Sequence, residues 1–498
     1  MFLINIGHNL NYEVQCAAML FFPGVSFSVT DDFNITKSQQ NYILTKLEKV
    51  QGFYNLTCQV SIDGVFAEDF SSFSDQIPNP DGECERVFAF MMFNLLSPIT
   101  NSQPSWGILT GVRPVKLFHK RLDNGFSEDD TAREFKQKFL VSDRKIDLAL
   151  RTCRLEGPIL KETNLNEFSL YISIPFCPSR CHYCSFVSQS ISSKKAMDLI
   201  PDYVNLLCQE IKLCGEIVRQ VGLKLSTVYF GGGTPTTLSH QQLDQVCSAV
   251  EQSFDLSSCK EYTVEAGRPD TISKEKLLVL KKHNVKRISI NPQTMNDDVL
   301  KAVGRKHSAQ DVINAFNLAR EVGFDCINMD LIAGLPGDSV ESFISTIDQI
   351  VQLNPENITV HTLSIKRSAD YADDKAALEN VRSVAQMVEY AQTKLLENGW
   401  SPYYLYKQRN TLGNLENVGY TKPGFESRYN IYIMDETHSI LACGGGAISK
   451  LINRSNGVLT RIPNYKYPFE YISKFDEIIK RKEKVRRFFE EDCALPLR

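Results

Sequence analysis

The sequence has no surplus of positive charge. Its 55 lysines and arginines are outnumbered by 59 aspartates and glutamates, for a net charge of −4. A chain this mildly acidic lacks the electrostatic footprint of a dedicated nucleic-acid binder. It also lacks a long apolar run: no stretch approaches the ~18–20 residues that a membrane span requires. The opening Met1-Phe2-Leu3-Ile4-Asn5-Ile6-Gly7-His8 has neither a basic start nor an extended apolar segment, so no signal peptide is expected. Glycine (27) and proline (20) are not in excess, and 43% of residues are hydrophobic and 23% charged. Such a composition excludes disordered, collagenous and low-complexity chains. The expectation is a cytoplasmic protein with no nucleic-acid partner and no membrane span. At 498 residues it should hold two or three domains.

What the sequence does have is cysteine, 14 in all. Most are scattered singly among apolar neighbours, the pattern of a buried thiol acting as a small hydrophobe in a reducing compartment. Three break it. Cys177, Cys181 and Cys184 fall within eight residues, with the spacing Cys-x3-Cys-x2-Cys.

The chain changes rhythm near residue 165. Residues 1–165 mix short patterns (Tyr12–Phe22, Asn41–Lys49, Leu56–Ile62, an apolar helix at Val87–Leu96 and a charged helical stretch near Asp129–Leu150), which reads as a small α+β domain of unassigned role. Within it, Trp106–Lys116 reads as an ordinary turn, with a ligand contact as the alternative. Residues 166–372 alternate strand and helix six times. The strand-like runs are Phe168–Pro175, Ser226–Phe230, Glu261–Val264, Val285–Asn291, Cys326–Ile332 and Ile358–Ile365. The helical patterns between them are Asp202–Val221, Gln241–Phe254, Lys274–His283, Ala309–Val322 and Ser339–Leu353. This order predicts a parallel sheet with right-handed crossovers. Residues 373–498 open with a long helical pattern over Asp374–Asn398 and continue as a C-terminal α/β extension. The basic stretch Lys480–Arg487 in its tail reads as a solvated helix face.

Every one of the six strands is followed by something chemically pointed: the cysteines, then Gly231-Gly232-Gly233-Thr234-Pro235, Glu265, Asn291-Pro292-Gln293, Asp330 with Gly334-Leu335-Pro336-Gly337, and Ser364. Sites in (β/α) barrels are built on the C-terminal rim of the strands. Six contributions to one rim favour a partial barrel over an open sheet, which concentrates its site at one switch point. Three thiolates on a short loop suit three corners of an iron–sulfur cluster, whereas structural zinc takes four ligands. A cluster with three protein ligands leaves one iron open to chelation by an amine and a carboxylate. Gly232, Gly233 and Thr234 allow close backbone approach, and Glu265 and Asp330 are placed to accept hydrogen bonds from ribose hydroxyls.

At this point the sequence resembles a known family. Cys-x3-Cys-x2-Cys after the first strand and Gly-Gly-Gly-Thr-Pro after the second are similar to radical S-adenosylmethionine (SAM) enzymes. Tyr171-Ile-Ser-Ile-Pro-Phe-Cys177, Tyr229-Phe-Gly-Gly-Gly-Thr-Pro235, Gly304-Arg-Lys-His307 and Met329-Asp-Leu-Ile-Ala-Gly-Leu-Pro336 resemble the oxygen-independent coproporphyrinogen III oxidases (dehydrogenases). Leu109-Thr-Gly-Val-Arg-Pro-Val-Lys116 is similar to the long variant with an extra N-terminal domain. The resemblance covers 168–370 well and Asn417–Ala447 more loosely. It implies a partial (β/α)6 TIM-like barrel, a [4Fe–4S] cluster on Cys177, Cys181 and Cys184, and SAM contacts from Tyr171, Tyr183, Gly232, Gly233 and Thr234. Glu265, Gln293, Arg305 and Asp330 would line the nucleoside or a second SAM site. It further implies that a 5′-deoxyadenosyl radical takes hydrogen from a propionate of a tetrapyrrole. Loss of carbon dioxide and an electron would then leave a vinyl group, with flavodoxin or ferredoxin as electron donor. The cations Arg268, Arg305, Lys306, Lys366 and Arg367 would line the mouth.

The sequence departs from that family at three places. Phe186 stands where a fourth cysteine follows the third, and Ser173 replaces a histidine. Glu-x-x-Pro is stretched to Glu265-Ala-Gly-Arg-Pro269. The related heme chaperones carry His-Asn-x-x-Tyr-Trp where this chain has Tyr429-Asn430-Ile-Tyr-Ile433-Met434. A heme-binding delivery protein and another radical SAM reaction on a tetrapyrrole are the alternatives.

Overall fold

A computed structural model describes residues 1–364, 381–408 and 411–493, without the side chains of the last two. Lys366 and Arg367, the first turns of the helical pattern at Asp374–Asn398 and the boundary at 372/373 lie outside the described residues. The chain forms two compact units. The first gathers Met1–Arg151 with Asp374–Ala385 and Tyr406–Glu416, and the second gathers Thr152–Asp373, Gln386–Leu405 and Asn417–Arg498.

The first unit is α+β. Strands β1 (Phe2–Ile6), β2 (Ser28–Thr30), β3 (Tyr42–Val50), β4 (Phe53–Ile62) and β5 (Val65–Ser74) form a sheet in the order β2-β1-β3-β4-β5. The strands β3, β4 and β5 form an antiparallel meander. Its two-residue turns, Gln51-Gly52 and Asp63-Gly64, have positive φ at both positions, the twist a tight hairpin needs. One face is buried under the helices Asn11–Met19 and Pro80–Thr100 around Leu3, Ile43, Val60, Phe88 and Met92. The same unit holds a buried polar knot. Glu416 accepts from Lys145 Nζ (2.5 Å) and from Trp106 Nε1 (2.7 Å), and Lys407 Nζ donates to the carbonyl of Leu109 (2.6 Å). Trp106 lies in a turn, as expected, and is buried there as a packing anchor, and Pro114 begins the helix Pro114–Asp123.

The second unit holds the barrel. Strands β6 (Glu167–Ile174), β9 (Lys224–Gly232), β10 (Glu261–Glu265), β11 (Arg287–Ser289), β12 (Cys326–Ala333) and β13 (Asn357–Thr362) are parallel and adjacent in chain order. Between β6 and β9 lie the two-residue strands β7 (Phe176–Cys177) and β8 (Gln189–Ser190), which pair with each other. The crossovers are the helices Ile200–Val221, His240–Ser253, Lys274–Lys282, Ala309–Val322 and Val340–Leu353, with a further short helix Asp297–Ala302 before the fourth. Serines cap four of these helices. The fold is therefore the partial (β/α)6 barrel with an N-terminal α+β region and a C-terminal extension.

That extension widens the sheet on both sides. Beyond β13 it adds β15 (Glu416–Thr421) and β14 (Ser401–Lys407), and beside β6 it adds β16 (Ser439–Cys443), β17 (Ile448–Ile452) and β18 (Leu459–Pro463). The helix Ile200–Val221 is tied to this extension through Glu210. Its buried carboxylate accepts from Gly444 N (2.7 Å), Asn464 Nδ2 (2.7 Å), Tyr471 Oη (2.6 Å) and Lys482 Nζ (2.9 Å). Ser173 of β6 donates to Gly445 O (2.8 Å), and Tyr203 Oη donates to Ser173 O (2.9 Å). The helix Phe475–Cys493 buries one face, with Ile478, Val485 and Phe489 inside, and leaves Lys480, Lys484 and Arg487 exposed, as the charge pattern implies. Lys482 is the correction: it is 1% exposed because its ammonium neutralises Glu210.

Candidate functional site

The cysteine loop begins where β6 ends. Pro175 breaks the strand, β7 pairs with β8, and the chain then turns through Cys177–Cys184. The loop is pinned to the segment after the helix Asp297–Ala302: His182 N donates to Val303 O (3.1 Å) and Ser179 Oγ to Gly304 O (3.3 Å). The His182 ring is held at Ala302 O (3.1 Å) through Nδ1. Two groups face the sulfurs. The Thr234 hydroxyl donates to Cys177 Sγ (3.5 Å), and Arg268 Nη1 approaches Cys181 Sγ (3.7 Å). Burial pushes the Cys184 thiol up to about 11 and also raises that of Cys177. Metal binding here would therefore displace protons.

These residues fit an iron–sulfur cluster. Among the described residues no three His, Cys, Asp or Glu side chains gather around one metal-ion position. A cuboidal cluster takes each thiolate at a different corner. The nearly buried cations Arg268 and Arg305 beside Cys181 suit the negative charge that three thiolates carry.

The glycine turn after β9 packs against the cysteine loop. Gly233 N donates to Ile174 O (2.9 Å) and Thr234 N to Phe176 O (2.7 Å). A Cβ on Gly233 would lie 2.5 Å from Phe176 O, and one on Gly232, whose φ is +107°, 2.8 Å from Ser173 Oγ. The close approach that glycine permits is thus between the two rim turns themselves.

The remaining rim residues fall into two groups. In the first, Tyr171, Tyr229 and Tyr429 stack, with Tyr229 and Tyr429 centroids 4.3 Å apart and Tyr171 6.3 and 6.2 Å from them. Tyr229 Oη donates to Glu265 Oε1 (2.6 Å). Burial raises the Glu265 carboxyl to about 7, with the Tyr229 bond opposing and Asp330 adding to the rise. In the second, burial works against the Asp330 carboxylate, but His361, Asn328 and Thr359 outweigh it and hold its pKa below the ordinary value. Asn328 Nδ2 lies 2.7 Å and His361 Nε2 3.9 Å from Asp330 oxygens. Gln293 is locked beside Asp330 by backbone bonds of 2.9 and 3.0 Å to Asp330 and Ile332, at a φ of +70° rare for glutamine. Its buried Oε1 has no partner, as an acceptor awaiting a ligand donor would. Arg305 reaches back to the loop, with Nε on Tyr183 Oη (3.2 Å) and Nη1 on Asn291 O (2.7 Å).

The structure thus joins Thr234 to the cysteines, Tyr183 to Arg305, Gln293 to Asp330, and Tyr171 to Glu265 through Tyr229. It does not place Arg268 at the mouth, because that guanidinium is committed to Asp270 and the cysteine loop. Sequence reasoning missed Tyr229, Tyr429, His361 and the role of Arg268 near sulfur. Tyr229 and Arg268 sit inside the family motifs and Tyr429 in the stretch that stands where heme chaperones carry His-Asn-x-x-Tyr-Trp, so the signal was adjacency. For His361 only the fold supplies it.

The profile of the radical SAM superfamily matches residues 171–350. The chain is 41% identical to the oxygen-independent coproporphyrinogen-III oxidase-like protein HemZ of Bacillus subtilis, over 81% of this chain and 82% of that protein. The chain belongs to that oxidase-like family of radical SAM proteins. Its cofactors are those of the superfamily, a [4Fe–4S] cluster and SAM. The heme chaperone HemW of Bacillus subtilis is 34% identical over 53% of this oxidase-like chain and 66% of its own length. Among solved structures, coproporphyrinogen III oxidase (HemN) from Escherichia coli, a radical SAM enzyme, has a TM-score of 0.50 at 23% identity. That match covers 65% of this chain and 72% of that one, and shows the shared fold.

Proposed function

We propose that the protein is a radical SAM enzyme that oxidatively decarboxylates propionates of coproporphyrinogen III to vinyl groups, giving protoporphyrinogen IX. The observation that carries this reading over heme delivery is Tyr429. At the place where heme chaperones carry His-Asn-x-x-Tyr-Trp, this chain has a tyrosine 3% exposed and stacked on Tyr229. That stretch serves the wall of the site and offers no imidazole to heme iron.

In this reading Cys177, Cys181 and Cys184 hold the cluster. When bound, the cluster and SAM supply one-electron chemistry and a carbon-centred radical that takes hydrogen from the substrate. The chain's own residues bind and orient. Tyr171, Tyr183, Gly232, Gly233 and Thr234 contact SAM, while Glu265, Gln293, Arg305 and Asp330 receive its nucleoside or a second SAM. Each propionate loses one hydrogen atom to the carbon-centred radical, one carbon dioxide, and one electron that passes to an external one-electron acceptor, and no side chain need act as a general base. The reducing electron comes from a donor such as flavodoxin or ferredoxin. The run Cys177–Met197 supports an acidic donor, since it contains Arg180, Lys194 and Lys195, all exposed, and no carboxylate.

The test is anaerobic incubation of reconstituted protein with SAM, reductant and coproporphyrinogen III. The expected outcome is a vinyl product with carbon dioxide and 5′-deoxyadenosine; SAM cleavage without vinyl product overturns the reading. The identity to heme chaperones and Phe186 in place of a fourth cysteine favour heme delivery as the second reading, for which stoichiometric heme titration should then show tight binding. Product mass spectrometry separates both from another tetrapyrrole reaction.

A further inference from the structure

The stretched segment after β10 puts an arginine against the cysteine loop. Arg268 is held from both sides. Its backbone is fixed by N to Ala266 O (2.6 Å), and its carbonyl accepts from Thr271 N (2.9 Å) and Thr271 Oγ1 (2.7 Å). Its guanidinium is clamped by Asp270, with Nε on Oδ1 (3.0 Å) and Nη2 on Oδ2 (2.9 Å), a planar two-point grip that lysine does not reproduce. The remaining nitrogen, Nη1, points the other way, to Ser179 Oγ (3.2 Å) and Cys181 Sγ (3.7 Å). The side chain is 4% exposed and Asp270 27% exposed. The pair therefore presents its positive end to sulfur and its negative end outward.

We propose that Arg268 is a positioning residue that sets the reduction potential of the cluster held by Cys177, Cys181 and Cys184, with Asp270 as the counter-charge that limits its effect. This rests on the cysteine assignment and not on which tetrapyrrole reacts. Hydrogen bonds to cluster sulfurs and local net charge are the levers by which a protein tunes such clusters. A buried cation within hydrogen-bonding distance of a ligating sulfur stabilises the more negative, reduced state. It therefore raises the potential and eases reduction. The Asp270 carboxylate offsets part of that effect.

The prediction has opposite signs for the two partners, which loosened packing does not produce. In anaerobic redox titrations of the reconstituted full chain, followed by electron paramagnetic resonance, Arg268→Gln should move the midpoint to more negative potential. Asp270→Asn should move it to less negative potential, and Arg268→Lys, which keeps the charge but not the two-point grip, should fall between the wild type and Arg268→Gln. A cluster-loaded Arg268→Gln at the wild-type midpoint overturns the proposal, as does movement of the Gln and Asn variants in one direction. If Arg268→Gln holds no cluster, Asp270→Asn decides: a less negative midpoint supports the proposal and an unchanged one overturns it. Cluster retained by Cys181→Ala would instead sink the cysteine assignment, a separate outcome read by iron and sulfide content.

Discussion

Cys181 is the most buried of the three loop cysteines, at 8% exposure, and takes contacts from both arginines. Cys181→Ala should abolish the brown charge-transfer absorbance and SAM cleavage together, and survival of either would sink its assignment as a ligand. Glu265 makes a prediction about pH. Its carboxyl has a pKa of about 7 in the folded apo-protein against 4.5 for the unfolded value. The unfolded chain thus releases this proton first. The stability held in the protonated form is complete below about pH 4.5 and is lost as the pH rises through about 7. Glu265→Gln has no charge to gain, and its amide oxygen can still accept from Tyr229. In melts of the apo-protein its Tm should exceed that of the wild type at pH 8, and the gap should close at pH 4.5. A gap that does not change with pH would show that burial of this carboxylate is not what the substitution relieves.

At the scale of elements, the glycine turn and the cysteine loop are one object. Gly233→Ala pushes a Cβ to 2.5 Å from Phe176 O, and because that contact is backbone, the loop bearing Cys177 must shift. The expected cost is about 1–3 kcal/mol, read as a lower Tm, together with reduced iron content after reconstitution. The barrel's elements were legible because β-branched runs alternate with helical patterns of apolar residues; the predicted helix Ala309–Val322 matches at both ends. Strand β5 was not. In Val65-Phe-Ala-Glu-Asp-Phe-Ser-Ser-Phe-Ser74 two of the three phenylalanines, Phe66 and Phe70, lie exposed while Phe73 packs against the core, so alternation pointed nowhere. The cysteine loop was legible from spacing alone. The tyrosine stack was not, since Tyr171, Tyr229 and Tyr429 come from separate elements that only the fold brings together.

At the scale of the whole molecule, chain order and compact units part company. The first unit needs Tyr406–Glu416 to complete it, because Lys145 and Trp106 find their acceptor in Glu416. A fragment of residues 1–151 leaves a lysine 1% exposed in the fold with no counter-charge. Removing one partner of a buried pair costs about 3–5 kcal/mol. The fragment should therefore lack a cooperative thermal transition by circular dichroism, and a sharp transition would show that the knot is dispensable. In the full chain, Glu416→Gln should lower the Tm by the same mechanism.

The tie between Glu210 and the C-terminal segment also orders events in time. A ribosome delivers this chain from its N-terminus, so β6 and the three cysteines exist long before Gly444, Asn464, Tyr471 and Lys482 do. Until those donors emerge, Glu210 stands without the partners that fix it, and Ser173 lacks the Gly445 carbonyl that anchors the strand leading into Cys177. A translation product cut short before residue 444 lacks every one of these partners, so it should retain less iron after reconstitution than the full chain does.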